Sequence, residues 1–120
     1  KPENIHLVAQ EAPLGLGHAV LQGKSYVKED AFAVILPDDL ILYDQESPLK
    51  QMVKDYREGS LIATMKVAPE HIHRYGSFKL KEQTAQGKIL AAEEMVEKST
   101  NAPSLYAAIG RYVLNSAIFT

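Results

Sequence analysis

The sequence predicts an α/β domain, and three features carry that expectation. Residues 31–36 form an uncharged apolar run closed by Pro37, the pattern of a strand buried on both faces. A capped amphipathic helix follows from Ser47, and β-rich runs return at 61–67 and 105–114. The chain has 120 residues; it shows no internal repeat, low-complexity tract or linker, so residues 1–120 read as one domain.

Each element has a local justification. Residues 5–9 alternate weakly and are rich in β-formers, which predicts a first strand. Pro13-Leu14-Gly15-Leu16-Gly17 breaks the pattern, and 18–22 reads as helix, ending at 23–25. After the 31–36 strand, Ser47 is placed to cap a helix that has Pro48 at its first position. Leu49, Met52, Val53 and Tyr56 then recur at i, i+3, i+4 and i+7 as one apolar stripe, and Gly59 is the expected left-handed stop. Residues 61–67 form the next strand, and 69–74 a single helical turn. Residues 76–81 and 88–96 are expected to pair antiparallel about a turn near 85–87. Residues 105–114 form the last strand, after which Asn115-Ser116 can cap a short helix. The β-α-β-α-β order implies a parallel layer with helical crossovers. The later strands lack intervening helices, so the sheet is expected to be mixed.

Composition narrows the function classes. Hydrophobic residues are 46% and charged residues 23% of the chain, enough apolar area to fold. Thirteen basic and fifteen acidic residues give a formal charge of -2, so nothing here suits the nucleic-acid backbone. There is no cysteine, which excludes disulfides and thiolate zinc sites. No apolar run reaches the roughly 18 residues of a membrane helix. No signal peptide opens the chain, and a cytoplasmic location is expected. The chain opens at Lys1 without Met and closes on Ile118-Phe119-Thr120. Such ends suit either an excised piece or a small domain with docked termini.

Three segments can carry chemistry. Gln10-Glu11-Ala12-Pro13-Leu14-Gly15-Leu16-Gly17-His18 lies between a predicted strand and helix, where open α/β sheets bind ligands. Its glycines let a flat or phosphorylated ligand reach the backbone; an ordinary Gly-rich connection has the same composition. Leu36-Pro37-Asp38-Asp39 ends the apolar strand. Its carboxylates suit a hard cation such as Mg²⁺, shared with phosphate oxygens, or simply an Asp-rich turn. Successive residues point opposite ways, so only one of the pair is expected to bind the ion directly. In Val96-Glu97-Lys98, Glu can accept from sugar hydroxyls and Lys can neutralise a phosphate; a solvated charge pair is the alternative. His71 and His73 form a His-x-His without an evident third ligand, a poor metal site.

Taken in order, Gln10-x-x-Pro13-Leu14-Gly15-Leu16-Gly17-His18-Ala19, Leu36-Pro37-Asp38-Asp39, Arg74-Tyr75-Gly76, Val96-Glu97-Lys98, Ala102-Pro103-Ser104 and Gly110-Arg111-Tyr112-Val113-Leu114 resemble the bacterial UTP–glucose-1-phosphate uridylyltransferases (UDP-glucose pyrophosphorylases). The resemblance runs through nearly the whole chain. It implies a Rossmann-like nucleotidyltransferase α/β/α sandwich with a mixed sheet, of which this chain is the central part, truncated at both ends. It also implies the reaction of UTP with glucose 1-phosphate to give UDP-glucose and pyrophosphate.

Carried over by motif, Gln10, Leu14 and the Gly15 backbone would take the uracil of the nucleotide. Asp38 would bind Mg²⁺ next to it, Gly76 would sit against glucose, and Glu97 would hydrogen-bond its hydroxyls. Lys98 would bind the sugar phosphate as the catalytic cation. Two departures stand out. Lys98 is followed by Ser99 where the family usually has Pro, and the spacer to Ala102 is short. The family's N-terminal Gly-rich nucleotide loop and a later Asp, its second metal ligand, have no counterpart here. A non-catalytic nucleotide- or sugar-phosphate-binding module is therefore the alternative. Either would self-associate as a homo-oligomer through an exposed sheet edge, with no nucleic-acid or membrane partner.

Overall fold

The computed structural model describes residues 2–81 and 89–120. Five strands form one sheet: β1 (Ala31–Ile35), β2 (Ser60–Lys66), β3 (Ser77–Leu80), β4 (Ala92–Val96) and β5 (Tyr106–Asn115). Among the described residues two α-helices accompany it, α1 (Leu16–Gln22) and α2 (Pro48–Asp55). β5 organises the sheet because it is the longest strand and the most buried, with Ala107, Val113 and Leu114 in the core. β1, β2 and β3 all pair with it, and β4 extends the sheet from β3.

The α/β class holds, but every strand pair among the described residues is antiparallel. The parallel layer expected from element order is not formed by these strands. β1 and β2 do not pair with each other; both add to β5, one on each side. The α2 segment between them therefore connects two strands that flank a third.

α2 begins as its sequence dictates. The Ser47 hydroxyl accepts from the Lys50 amide at 3.2 Å, with Pro48 at the first position. Just before it, the Lys54 ammonium hydrogen-bonds the Glu46 carboxylate at 2.6 Å. That bond is the main cause of a Glu46 pKa below the usual value. Met52 is the buried member of the predicted stripe, whereas Val53 is 58% exposed. The helix stops at Asp55, with Tyr56 already extended. Gly59 does adopt a positive φ of 73°, but it serves the turn into β2, where its carbonyl accepts from the Tyr56 hydroxyl at 3.0 Å.

Other expectations shift or fail for physical reasons. Residues 5–9 form no strand, and Leu7 is 95% exposed. Weak alternation cannot hold an extended segment that has no neighbouring strand to pair with. The 31–36 run is a strand, but it is not buried on both faces. Among the described residues it pairs only with β5, and Ile35 is 53% exposed. Residues 69–74 give a short 3-10 turn, Ile72–Arg74, and the expected turn at 85–87 lies outside the described residues. After β5, Asn115 caps a 3-10 turn, Ser116–Phe119, by accepting from the Ala117 amide at 2.8 Å. Phe119 stacks on Phe32 with ring centres 5.1 Å apart, docking this turn on β1. No helix among the described residues is long and apolar enough to cross a membrane.

Candidate active site

The glycine strip enters α1 in an ordered way. Gly15 precedes the helix with φ 103°, a conformation that suits glycine. The helix starts at Leu16, two residues earlier than the sequence pattern indicates. Gln10 folds back on the strip: its side-chain amide donates to the Gly15 carbonyl at 3.2 Å and lies 2.9 Å from His18 Nδ1. The Gly15 carbonyl also accepts from the Ala19 amide at 3.1 Å. Gln22, one helical turn beyond His18, reaches the other ring nitrogen at 3.2 Å. Gln10, Gly15 and His18 thus form one bonded group. Among the described residues, the Gly15 N–H and the Gln10 side-chain oxygen remain without partners. Leu14 is exposed beside them.

The Tyr75-Gly76 and Glu97-Lys98 segments meet across β3 and β4. The Lys98 amide donates to the Tyr75 carbonyl at 3.2 Å, and the Gly76 carbonyl accepts from Ala108 at 2.9 Å. Gly76 is buried. A Cβ added there would lie 2.9 Å from Met95 Cε and 3.3 Å from Glu97 Oε2. Lys98 has a φ of 38°, a left-handed conformation that costs a β-carbon-bearing residue about 1–2 kcal/mol. Among the described residues it is the one non-glycine residue with positive φ. The turn leaves its side chain exposed. Next to Gly76, the Ser77 hydroxyl is fully buried without a hydrogen-bond partner among the described residues.

The acidic turn is held by β5. Leu36 donates to the Gly110 carbonyl at 2.9 Å, and Asp39 to the Leu36 carbonyl at 3.3 Å. Asp38 is exposed, whereas Asp39 is half-buried with its carboxylate folded over Gly110. One free carboxylate is a sparse metal site, and no group of three acidic or histidine side chains exists among the described residues. That donor set suits Mg²⁺, which is commonly held by one or two carboxylates and completed by water and phosphate oxygens. His71 and His73 are exposed and find no third ligand among the described residues.

A cleft of about 560 Å³ joins the two halves. Leu16 and Gly17 line it on the α1 side, Glu97 and Met95 on the β4 side, and Tyr112 lies in its wall. Burial, with the negative charges of Glu97 and then Asp39, raises the Tyr112 pKa above its usual value. The charge of Glu97 and that of the acidic turn therefore reach the same phenol. Of the sequence-predicted site residues, Glu97 lines the cleft, whereas Gln10, Leu14, Gly15, Asp38, Gly76 and Lys98 do not. The sequence motif Gly110-Arg111-Tyr112 assigns these residues no task by itself. A glycine inside a strand was the available signal, since it marks a bulge or a close approach.

The tight packing around Gly76 gives a prediction. Gly76→Ala is expected to move the Met95 methyl, which is flexible, and to displace the Glu97 carboxylate. A buried position that must absorb an extra methyl group typically costs about 1–3 kcal/mol. We expect a loss of that size in denaturant unfolding of Gly76→Ala; an unchanged midpoint would mean that Met95 and Glu97 yield freely.

The chain is similar to the UTP–glucose-1-phosphate uridylyltransferase YngB of Bacillus subtilis, with 39% identity over 98% of this chain and 40% of the relative. A UDP-glucose pyrophosphorylase crystallised with UDP-glucose superposes with a TM-score of 0.82 at 40% identity, covering 92% of this chain and 43% of the other. A UTP-bound UGPase from Acinetobacter baumannii gives 0.78 at 37% identity, with 90% and 40% covered. The chain thus spans about 40% of the length of the curated relatives it matches. The Nucleotidyl transferase family model matches residues 2–120, and the chain belongs to that family.

Proposed function

We propose that this chain carries the uracil- and glucose-recognising part of a UTP–glucose-1-phosphate uridylyltransferase. The observation that carries the reading is the cleft that the start of α1 and Glu97 line together. Uracil presents a carbonyl acceptor beside an N3–H donor. The Gly15 N–H and the Gln10 oxygen, which have no partner among the described residues, are the complementary pair. Cytosine has an acceptor at N3 and would oppose the Gln10 oxygen. Thymine differs from uracil only by a methyl group, which this pair does not read. Leu14 offers the base an apolar contact.

In the reaction, a phosphate oxygen of glucose 1-phosphate attacks the α-phosphorus of UTP in line. The bond to the bridging oxygen breaks, and pyrophosphate leaves with the electron pair. The residues act by positioning and charge. Glu97 accepts hydrogen bonds from the glucose hydroxyls, and Gly76, buried beside Met95 and Glu97, leaves room for that carboxylate. Lys98 holds the sugar phosphate. Asp38 would hold Mg²⁺, which when bound neutralises phosphate charge. A cytoplasmic enzyme is the setting this reading expects.

The reading is tested by titrating the chain with UDP-glucose, UDP-galactose and CDP-glucose. UDP-glucose is expected to bind at least tenfold more tightly than either analogue. Equal binding of all three would reject it.

β1 has no second neighbour among the described residues, and its outer edge carries no charge. An unblunted apolar edge is a template for pairing. A second copy, joined edge to edge about a two-fold axis, is the partner that fits. Sedimentation equilibrium at micromolar concentration is expected to return a dimer; a 13.3 kDa species would reject it.

A further inference from the structure

We propose that Arg111 and Gly110 are positioning residues that fix where the Asp38 carboxylate stands; this rests on the uridylyltransferase reading, in which Asp38 holds the metal. Asp38 makes no side-chain hydrogen bond of its own among the described residues. Its place is therefore set by the backbone of the turn, and that backbone is gripped by one side chain. Arg111 Nη2 donates to the Asp39 carbonyl at 2.8 Å, and Nη1 donates to the Leu36 carbonyl at 3.2 Å. The planar guanidinium spans both ends of the turn, so the two carbonyls cannot move independently.

Gly110 makes the approach possible. Between the pairs Ile62↔Tyr112 and Thr64↔Ala108, β2 has one residue and β5 has three. The resulting bulge places Gly110 at φ 76° under the turn. A Cβ there would lie 2.5 Å from Asp39 Oδ2 and 3.0 Å from Asp39 Cβ. The Asp39 carboxylate thus occupies the space that glycine leaves, while Asp38 is exposed. Of two adjacent acids, the β5 bulge decides which one is presented.

The division of labour is measurable with Mn²⁺ as the probe. The chain is saturated with UDP-glucose, and Mn²⁺ is added while broadening of the Asp38 amide signal is followed by NMR. Separately, UDP-glucose is titrated while the Gln10 and Gly15 signals are followed. Arg111→Gln is expected to need about tenfold more Mn²⁺, the usual cost of losing a group that orients a metal ligand. Its UDP-glucose midpoint is expected to stay at the wild-type value. Arg111→Lys keeps the charge but not the fork, and is expected to recover only part of the Mn²⁺ affinity.

An unchanged Mn²⁺ midpoint in Arg111→Gln, full recovery in Arg111→Lys, or parallel loss of both midpoints overturns the proposal. If Arg111→Gln does not fold, the lysine variant alone decides by the same criterion: a Mn²⁺ midpoint equal to wild type overturns it. A wild-type chain that ignores UDP-glucose overturns the uridylyltransferase reading and this proposal together. Normal wild-type binding with unaltered variants overturns this proposal alone.

Discussion

Asp38→Asn is expected to cut uridylyl transfer by about a hundredfold or more, with the fold intact. The measurement is made in an enzyme where this chain replaces the matching segment of the Bacillus subtilis relative. Asn keeps the shape of the side chain but loses the charge that holds a hard cation. Asp38 is exposed and bonded to nothing among the described residues, so its amide analogue has no structural contact to lose. Raising Mg²⁺ should restore part of the rate, because the phosphates still supply ligands. Asp39→Asn is the instructive contrast. That carboxylate lies over Gly110, close to β5, and its substitution should alter stability more than metal dependence. Near-normal activity of Asp38→Asn at limiting Mg²⁺ would make the acidic pair an ordinary turn.

Local chemistry was legible in the sequence, and long-range pairing was not. Ser47 and Pro48 announce α2 because a cap and a fixed φ act within one turn. The 31–36 run announces β1 because β-branched and apolar residues without a helical period favour extension. What surrounds β1 depends on β5, which begins some 70 residues later. No local signal says that β1 and β2 take opposite sides of that strand. The parallel layer was inferred from element order alone, and order does not fix direction when a later strand intervenes. Likewise, residues 5–9 have a strand's composition but no partner.

The site divides in the same way. Gln10, Gly15, Asp38, Gly76, Glu97 and Lys98 were named from motifs, and the structure joins Gln10 to Gly15 and Gly76 to Glu97. The roles of His18, Arg111 and Tyr112 stayed hidden because they arise from contacts between distant segments. Arg111 and Leu36 are 75 positions apart. An arginine inside a strand gives no sign that it will grip two carbonyls of another loop.

The 120-residue chain by itself is expected to bind UDP-glucose but to release no measurable pyrophosphate from UTP and glucose 1-phosphate. Transfer brings two anions together, and each preorganised cation or donor that offsets their charge is worth about 10²–10³ in rate. Neither lysine nor arginine lines the cleft. Lys98 is exposed on the turn after β4 and is assigned above to the sugar phosphate. The Arg111 guanidinium is already committed to the carbonyls of Leu36, Asp39 and Gly110. Nothing described at the cleft is therefore left to hold the β- and γ-phosphates of UTP, the group that must depart. Recognition does not share this deficit, since uracil and glucose are neutral and, in the function proposed above, ask only for hydrogen bonds from Gly15, Gln10 and Glu97. Binding and turnover should separate in the isolated chain and rejoin when it is grafted into the Bacillus subtilis relative. Mg²⁺-dependent pyrophosphate release by the purified chain, above a control lacking glucose 1-phosphate, would show that the phosphates find their cations within these residues after all.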